Sequence, residues 1–185
     1  NYPFKYLAND NFILSSYMVL PNEETRTLLN NWIYNVYKYN ETIQTYTLLQ
    51  KLTTYIFKNF TYKVREEAGV QTAKQTLSYG SGSCRDFAFL FMEVVKCLGL
   101  ATRFVSGYLY APLMSDKVGS THAWAEVYLP GGGWIGFDPT TGNIAGTDHI
   151  SVAVSRLPDN VPPIAGSFLG VSDSTISVGV WVTKV

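Results

Sequence analysis

The 185-residue chain contains two cysteines, Cys84 and Cys97, and two histidines, His122 and His149. Any thiol–imidazole chemistry therefore has few members to draw on. Cys84 follows Gly80-Ser81-Gly82-Ser83 and opens a helical pattern. A thiol in the first turn of a helix meets free N–H groups and the positive end of the dipole, which favour the thiolate. That is the setting of a nucleophile, while the alternative is a buried thiol acting as a small hydrophobe. Local features alone leave both readings of Cys84 open, although the flanking Gly/Ser loop and the polar Arg85 and Asp86 favour exposure. Cys97 lies among Val94, Val95 and Leu98 and is assigned to packing. Thirteen helical residues separate the two cysteines by roughly 20 Å, far beyond the ~7 Å reach of a disulfide, so both are expected as free thiols.

A nucleophilic cysteine needs a base. In Thr121-His122-Ala123-Trp124-Ala125-Glu126-Val127-Tyr128-Leu129, strand alternation puts His122, Trp124, Glu126 and Tyr128 on one face and the small and aliphatic residues on the other. Pro130-Gly131-Gly132-Gly133 then turns the chain into Trp134-Ile135-Gly136-Phe137-Asp138, which reads as a hairpin. Register decides the outcome, because a slip of one residue reverses every side chain. A loop centred between Gly131 and Gly132 pairs Asp138 with Ala125, on the wrong face. One centred on Gly131 pairs it with Trp124, diagonal to His122, so an odd-numbered loop or a bulge is predicted. Taken singly, His122 could be a solvated surface residue and Asp138 the start of an Asp-Pro turn. Taken with Cys84 they supply a nucleophile, a general base and a group that orients the base.

These residues need helices followed by strands. Asn22 is a plausible N-cap for an apolar stripe of Leu28, Leu29, Trp32, Ile33, Val36 and Tyr37, and Leu48 to Asn59 repeats the spacing. An extended piece at Phe60–Val64 and a short helix over Thr72–Ser78 lead to the Gly/Ser loop. The clearest helix follows, with Phe87, Leu90, Phe91, Val94, Val95 and Leu98 on one face. Ser83 and Asp86 stand at its start in a capping-box pattern, and Gly99 stands at its end. Ala101–Tyr110, Thr121–Leu129, Trp134–Phe137, Ile150–Ser155 and Thr175–Val185 are β-rich. Helices first and antiparallel strands afterwards indicate an α+β fold.

Three segments together resemble the transglutaminase-like superfamily, in the bacterial branch described as candidate cysteine proteases: GSGSCRDFAFLFMEVVKCLGLATRFVSGYLY, HAWAEVYLPGGGWIGFDPTTG and HISVAVSRLPDNVPPIAGSF. The likeness is densest over residues 79–164 and extends more weakly across 43–185. It implies a papain-like core in which the Cys84 helix packs on an antiparallel sheet or barrel carrying His122 and Asp138. It also implies residues 1–20 as a linker or trailing edge of an absent N-terminal β region, and 21–185 as the catalytic domain. In such enzymes the nucleophile's own backbone N–H helps to hold the oxyanion, so Cys84 N–H is the first donor, and Tyr62 is the candidate for the second. Trp124 is expected to wall the cleft, and His149 is given no catalytic role.

The chain begins at Asn1, so a processed form or fragment is expected and localisation is left open. No metal or cofactor is expected. A zinc set of Cys84, Cys97, His122 and His149 lacks paired ligand spacing, and no EF-hand calcium loop is present. Fourteen basic residues balance fourteen acidic ones without a cluster, which argues against nucleic acid as a partner. The longest apolar run, Phe87–Met92, is far short of the ~18 residues that cross a bilayer, so no membrane partner is expected. The expected partner is a peptide or protein substrate, with the oligomeric state unassigned. The residues imply a cysteine-dependent amide hydrolase working through a thioester. An amine-accepting transglutaminase and a non-catalytic polypeptide-binding domain are the alternatives.

Overall fold

The helix that begins at Cys84 is fixed at its first turn by one carboxylate. In the computed structural model, which describes all residues except 40, 111–120, 168, 171–174, 176–177 and 184–185, α5 spans Cys84–Cys97. Asp86 reaches back to accept from Ser83 N–H and Oγ–H, both at 2.8 Å. The expected apolar face of α5 is buried, but so are Ala88, Met92 and the paired Glu93 and Lys96, so the helix is enclosed on nearly every side. It runs through the middle of the domain. After a short α1 (Ala8–Leu14), helices α2 (Glu23–Ile33), α3 (Thr45–Asn59) and α4 (Ala73–Tyr79) pack on it, and so do two strands, β3 (Thr102–Leu109) and β4 (Thr121–Leu129).

Asn22 caps α2 as its sequence predicts, its side chain accepting from Thr25 N–H at 2.9 Å. The helix ends at Ile33 rather than at Tyr37. Tyr37 is nevertheless buried, because its hydroxyl donates to Glu41 O at 2.6 Å and closes the following loop against the core. Thr72 caps α4, and its C-terminal Gly80 leads directly into a two-residue strand, β2 (Ser81–Gly82). That strand pairs in parallel with β1 (Thr61–Tyr62), which carries Tyr62 alongside the approach to Cys84.

The remaining strands are β5 (Gly133–Asp138), β6 (Asn143–Ile144) and β7 (His149–Ser155), and the five-stranded sheet has the order β6-β5-β4-β3-β7 with antiparallel neighbours. It is an open sheet rather than a barrel. Leu129 pairs with Gly133 and Ala125 with Phe137, so the hairpin is centred on Gly131 with an odd-numbered loop. Gly131 (φ 79°) and Gly133 (φ 70°) supply the left-handed conformations that such a loop needs. Ala123, Ala125 and Val127 face α5, and continuing the register sets Asp138 opposite Trp124, on the face that carries His122.

Between β6 and β7 only residues 145–148 carry the chain from one edge of the sheet to the other. They cross its outer face: Ala145 N–H donates to Gly136 O at 3.0 Å and Tyr110 N–H to Asp148 O at 2.8 Å. The strand expected over Thr175–Val185 is absent among the described residues there, where Val178 and Trp181 are mostly exposed. Residues 1–7, read above as linker or trailing edge, are tied into the packed body. Tyr2 bridges Ile43 and its hydroxyl donates to Leu98 O, while Tyr6 hydroxyl donates to Tyr128 O and accepts from Ala101 N–H.

Candidate active site

The fold brings Cys84, His122 and Asp138 together. Cys84, part-exposed, is the first residue of α5, where its N–H lacks an intrahelical acceptor and faces outward at the positive end of the helix. His122 Nε2 meets Asp138 Oδ2 at 2.8 Å, and the Cys84 side chain is near enough to act on the same imidazole. That leaves Nδ1 as the ring nitrogen toward the thiol. Burial disfavours the imidazolium, but the hydrogen bond and charge of Asp138, followed by those of Cys84, outweigh it and raise His122 from 6.5 to about 9.

Asp138 is fully buried and receives donors on both oxygens. Oδ1 accepts from Thr140 N–H at 2.9 Å and Thr141 N–H at 3.4 Å, and Oδ2 accepts from His122, from Thr141 Oγ–H at 2.9 Å and from His149 Nε2 at 3.1 Å. Burial alone would raise its pKa. The imidazoles and the Thr140 N–H more than reverse that and hold the carboxyl well below the ordinary range. The local Asp-Pro-Thr-Thr turn weighed in the sequence does exist, and it is this turn that aims the carboxylate.

His149, given no catalytic role from the sequence, also reaches Asp138. Its Nδ1 accepts from Gly146 N–H at 3.2 Å, which places the ring proton on Nε2, facing Asp138. Trp124, expected along a cleft wall, is instead buried at 2 % exposure beneath the site. Its indole stacks on His122 and meets His149 edge-on at 5.1 Å between ring centroids. Two strand glycines make room for it: a Cβ on Gly107 would lie 2.8 Å from the indole, and one on Gly136 3.3 Å. Mid-strand glycines are a legible sign of such close approach, whereas the crossing of residues 145–148 that delivers His149 has no local sequence signature.

Tyr62 stands near the site. It is 49 % exposed, packs edge-on to Phe87, and its hydroxyl pKa is raised by burial and then by the negative charges of Cys84 and Asp138. Asp86 does more than cap α5: it also accepts from Gln71 N–H at 2.7 Å and from Arg65 Nη1 at 2.7 and 2.9 Å, fastening the 65–71 segment beside the nucleophile. Burial opposes its ionisation, but these donors win and lower its pKa. A polar cleft of about 440 Å³ lies along this segment, lined by Lys63, Arg65, Gln71, Tyr79 and Gly82.

The zinc set considered from sequence does not converge, but a different one does: ligand atoms of His122, Asp138 and His149 lie within 4.8 Å of one another. Two imidazoles and a carboxylate suit zinc. The protons argue against it here, since a metal on His149 Nε2 would force the proton onto Nδ1, against the Gly146 N–H. Among the described residues no helix is long and apolar enough to cross a membrane.

A thiol at a helix start, backed by a sheet that presents an imidazole and a carboxylate in line, defines a papain-like α+β protein with a thiol–imidazole–carboxylate site. Comparison with known proteins narrows this. Residues 37–139 match the model of the transglutaminase-like superfamily, and the chain belongs to that family. It is 36 % identical over 109 residues to the uncharacterized protein ML0607 of Mycobacterium leprae, covering 56 % of this chain and 38 % of that one. To the uncharacterized protein Mb2599c of Mycobacterium bovis it is 31 % identical over 138 residues, covering 70 % and 44 %. The chain thus spans less than half the length of these relatives. Among solved structures, a candidate cysteine protease from Cytophaga hutchinsonii has the same fold, with a TM-score of 0.67 at 22 % identity over 96 % of this chain and 61 % of that one.

Proposed function

We propose that the protein is a cysteine hydrolase of amide bonds, peptide or isopeptide, with Cys84 as nucleophile, His122 as general base and acid, and Asp138 as the group that orients His122. The observation that carries this reading is the His122 imidazole, held at 2.8 Å by the buried Asp138 carboxylate and acted on by the Cys84 side chain at the start of α5. The Cys84 thiolate attacks the carbonyl carbon, and the Cys84 N–H receives the developing oxyanion, with the Tyr62 hydroxyl as the candidate second donor. As the C–N bond breaks, the imidazolium of His122 gives its proton to the leaving nitrogen and a thioester remains. His122 then takes a proton from water, whose oxygen attacks the thioester and releases the carboxylic acid and the thiolate. The superfamily membership supports thiol chemistry.

A transglutaminase shares the first half of this cycle and differs in what attacks the thioester. The part exposure of Cys84, two residues beyond the Gly82 rim of the polar cleft, favours water as the acceptor over an amine led through a shielded tunnel. The test supplies an acyl donor with a millimolar primary amine and quantifies products by mass. Free acid should dominate. A dominant amide adduct at modest amine concentration replaces the hydrolase reading with the transferase one.

A further inference from the structure

We propose that His149 is a positioning residue for the thiol chemistry, a neutral Nε2–H donor that holds the Asp138 carboxylate in place for His122. The inference rests on the hydrolase reading above and assigns a part to a residue outside the cysteine–histidine–aspartate set.

Asp138 Oδ2 is shared by two imidazoles, at 2.8 Å from His122 Nε2 and 3.1 Å from His149 Nε2. Their roles differ because their other nitrogens differ. His122 turns its second nitrogen toward Cys84, whereas His149 turns its own to a backbone N–H. An acceptor bond from Gly146 N–H leaves Nδ1 of His149 without a proton, and this fixes the tautomer as a donor toward the carboxylate. The ring has no direct line to the thiol. It is also held against rotation: it sits edge-on to the buried indole of Trp124, on the first residue of β7, directly after the segment that crosses the sheet. Without this donor, Asp138 Oδ2 would keep only His122, the base it has to orient, and Thr141 Oγ–H, a hydroxyl that can rotate away. His122 depends on that oxygen for its own orientation, so slack in Asp138 reaches the base.

Two substitutions separate this role from packing. His149→Phe keeps a ring against Trp124 and removes the donor. His149→Gln removes the ring and places an amide N–H near the position of Nε2. With p-nitrophenyl acetate as an activated acyl donor, His149→Phe should lower kcat about tenfold or more, the range for one hydrogen bond to a charged group, with KM little changed. His149→Gln should stay within about threefold of wild type. A Phe variant with wild-type kcat, or a Gln variant that falls as far as Phe, overturns the proposal. Wild-type protein supplies a second test that needs no variant to fold: long-range ¹⁵N–¹H correlation of the imidazoles should show His149 protonated at Nε2 and bare at Nδ1. The opposite tautomer overturns the proposal. Cys84→Ala keeps the two readings apart, because residual wild-type turnover in that variant refutes the thiol mechanism itself, whereas a dead Cys84→Ala beside a fully active His149→Phe refutes only the role of His149.

Discussion

Replacing Asp138 by Asn keeps the shape of the side chain and removes its charge in a site where water cannot compensate. The carboxylate accepts five hydrogen bonds and donates none. An amide group must turn its NH₂ toward one set of those donors. Directed at Thr140 N–H, it strands a buried backbone donor; directed at Oδ2's partners, it opposes two imidazole N–H groups and a hydroxyl. The electrostatic loss can be sized from His122, whose rise from 6.5 to about 9 corresponds to ~3 kcal/mol in favour of the imidazolium, shared between Asp138 and Cys84. Because the folded pKa lies above the unfolded one, this contribution to stability is fully present below pH 6.5 and is lost as pH rises through about 9. In Asp138→Asn the alkaline limb of Cys84 reactivity should move from about 9 toward 6.5, and the fall in unfolding free energy over that interval should flatten. Turnover should drop by about 10³–10⁴, as when a triad loses its carboxylate. The assays are hydrolysis of p-nitrophenyl acetate against pH and urea unfolding at pH 6 and 9. A variant with wild-type turnover and an unmoved alkaline limb refutes the reasoning.

Iodoacetamide should label Cys84 and spare Cys97, whose thiol burial and the neighbouring Glu93 push up to about 11, and His122→Ala should slow the labelling of Cys84, read by peptide mass mapping. Asp86→Ala should destabilise the protein by ~3–5 kcal/mol, because it leaves the Arg65 guanidinium and the Ser83 and Gln71 N–H groups without their acceptor, and urea unfolding measures the loss. Gly107→Ala should lower the melting temperature and the turnover together, since its Cβ would clash with Ile150 O and stand 2.8 Å from the Trp124 ring. A thermal melt at wild-type temperature would show that this packing is looser than described.

Much of this site could be read from the chain because its signals are local. Ser83 and Asp86 mark the start of α5, strand alternation sets the face of His122, and the glycine run fixes the loop whose centre decides the face of Asp138. The burial of α5 was underestimated for a related reason: a single stripe of Phe87, Leu90, Phe91, Val94 and Val95 gives no hint that Ala88 and Met92 are also covered, since that depends on which helices pack behind. The place of His149 is set by the path of residues 145–148 across the sheet, a property of topology and not of spacing. The burial of Trp124 has the same cause, because that crossing roofs the face on which the sequence predicts a cleft wall. The β-rich residues 175–185 show the converse, a local preference that builds no strand among the described residues.

The account stands on Cys84 as the atom that becomes acylated. Wild-type protein mixed with p-nitrophenyl acetate and acid-quenched within the first turnover should carry a single acetyl group, mapped by tandem mass spectrometry to the peptide containing Cys84, and the adduct should disappear as the substrate is exhausted. An acetyl group mapped to any other residue, or turnover with an unmodified Cys84 at every quench time, contradicts it.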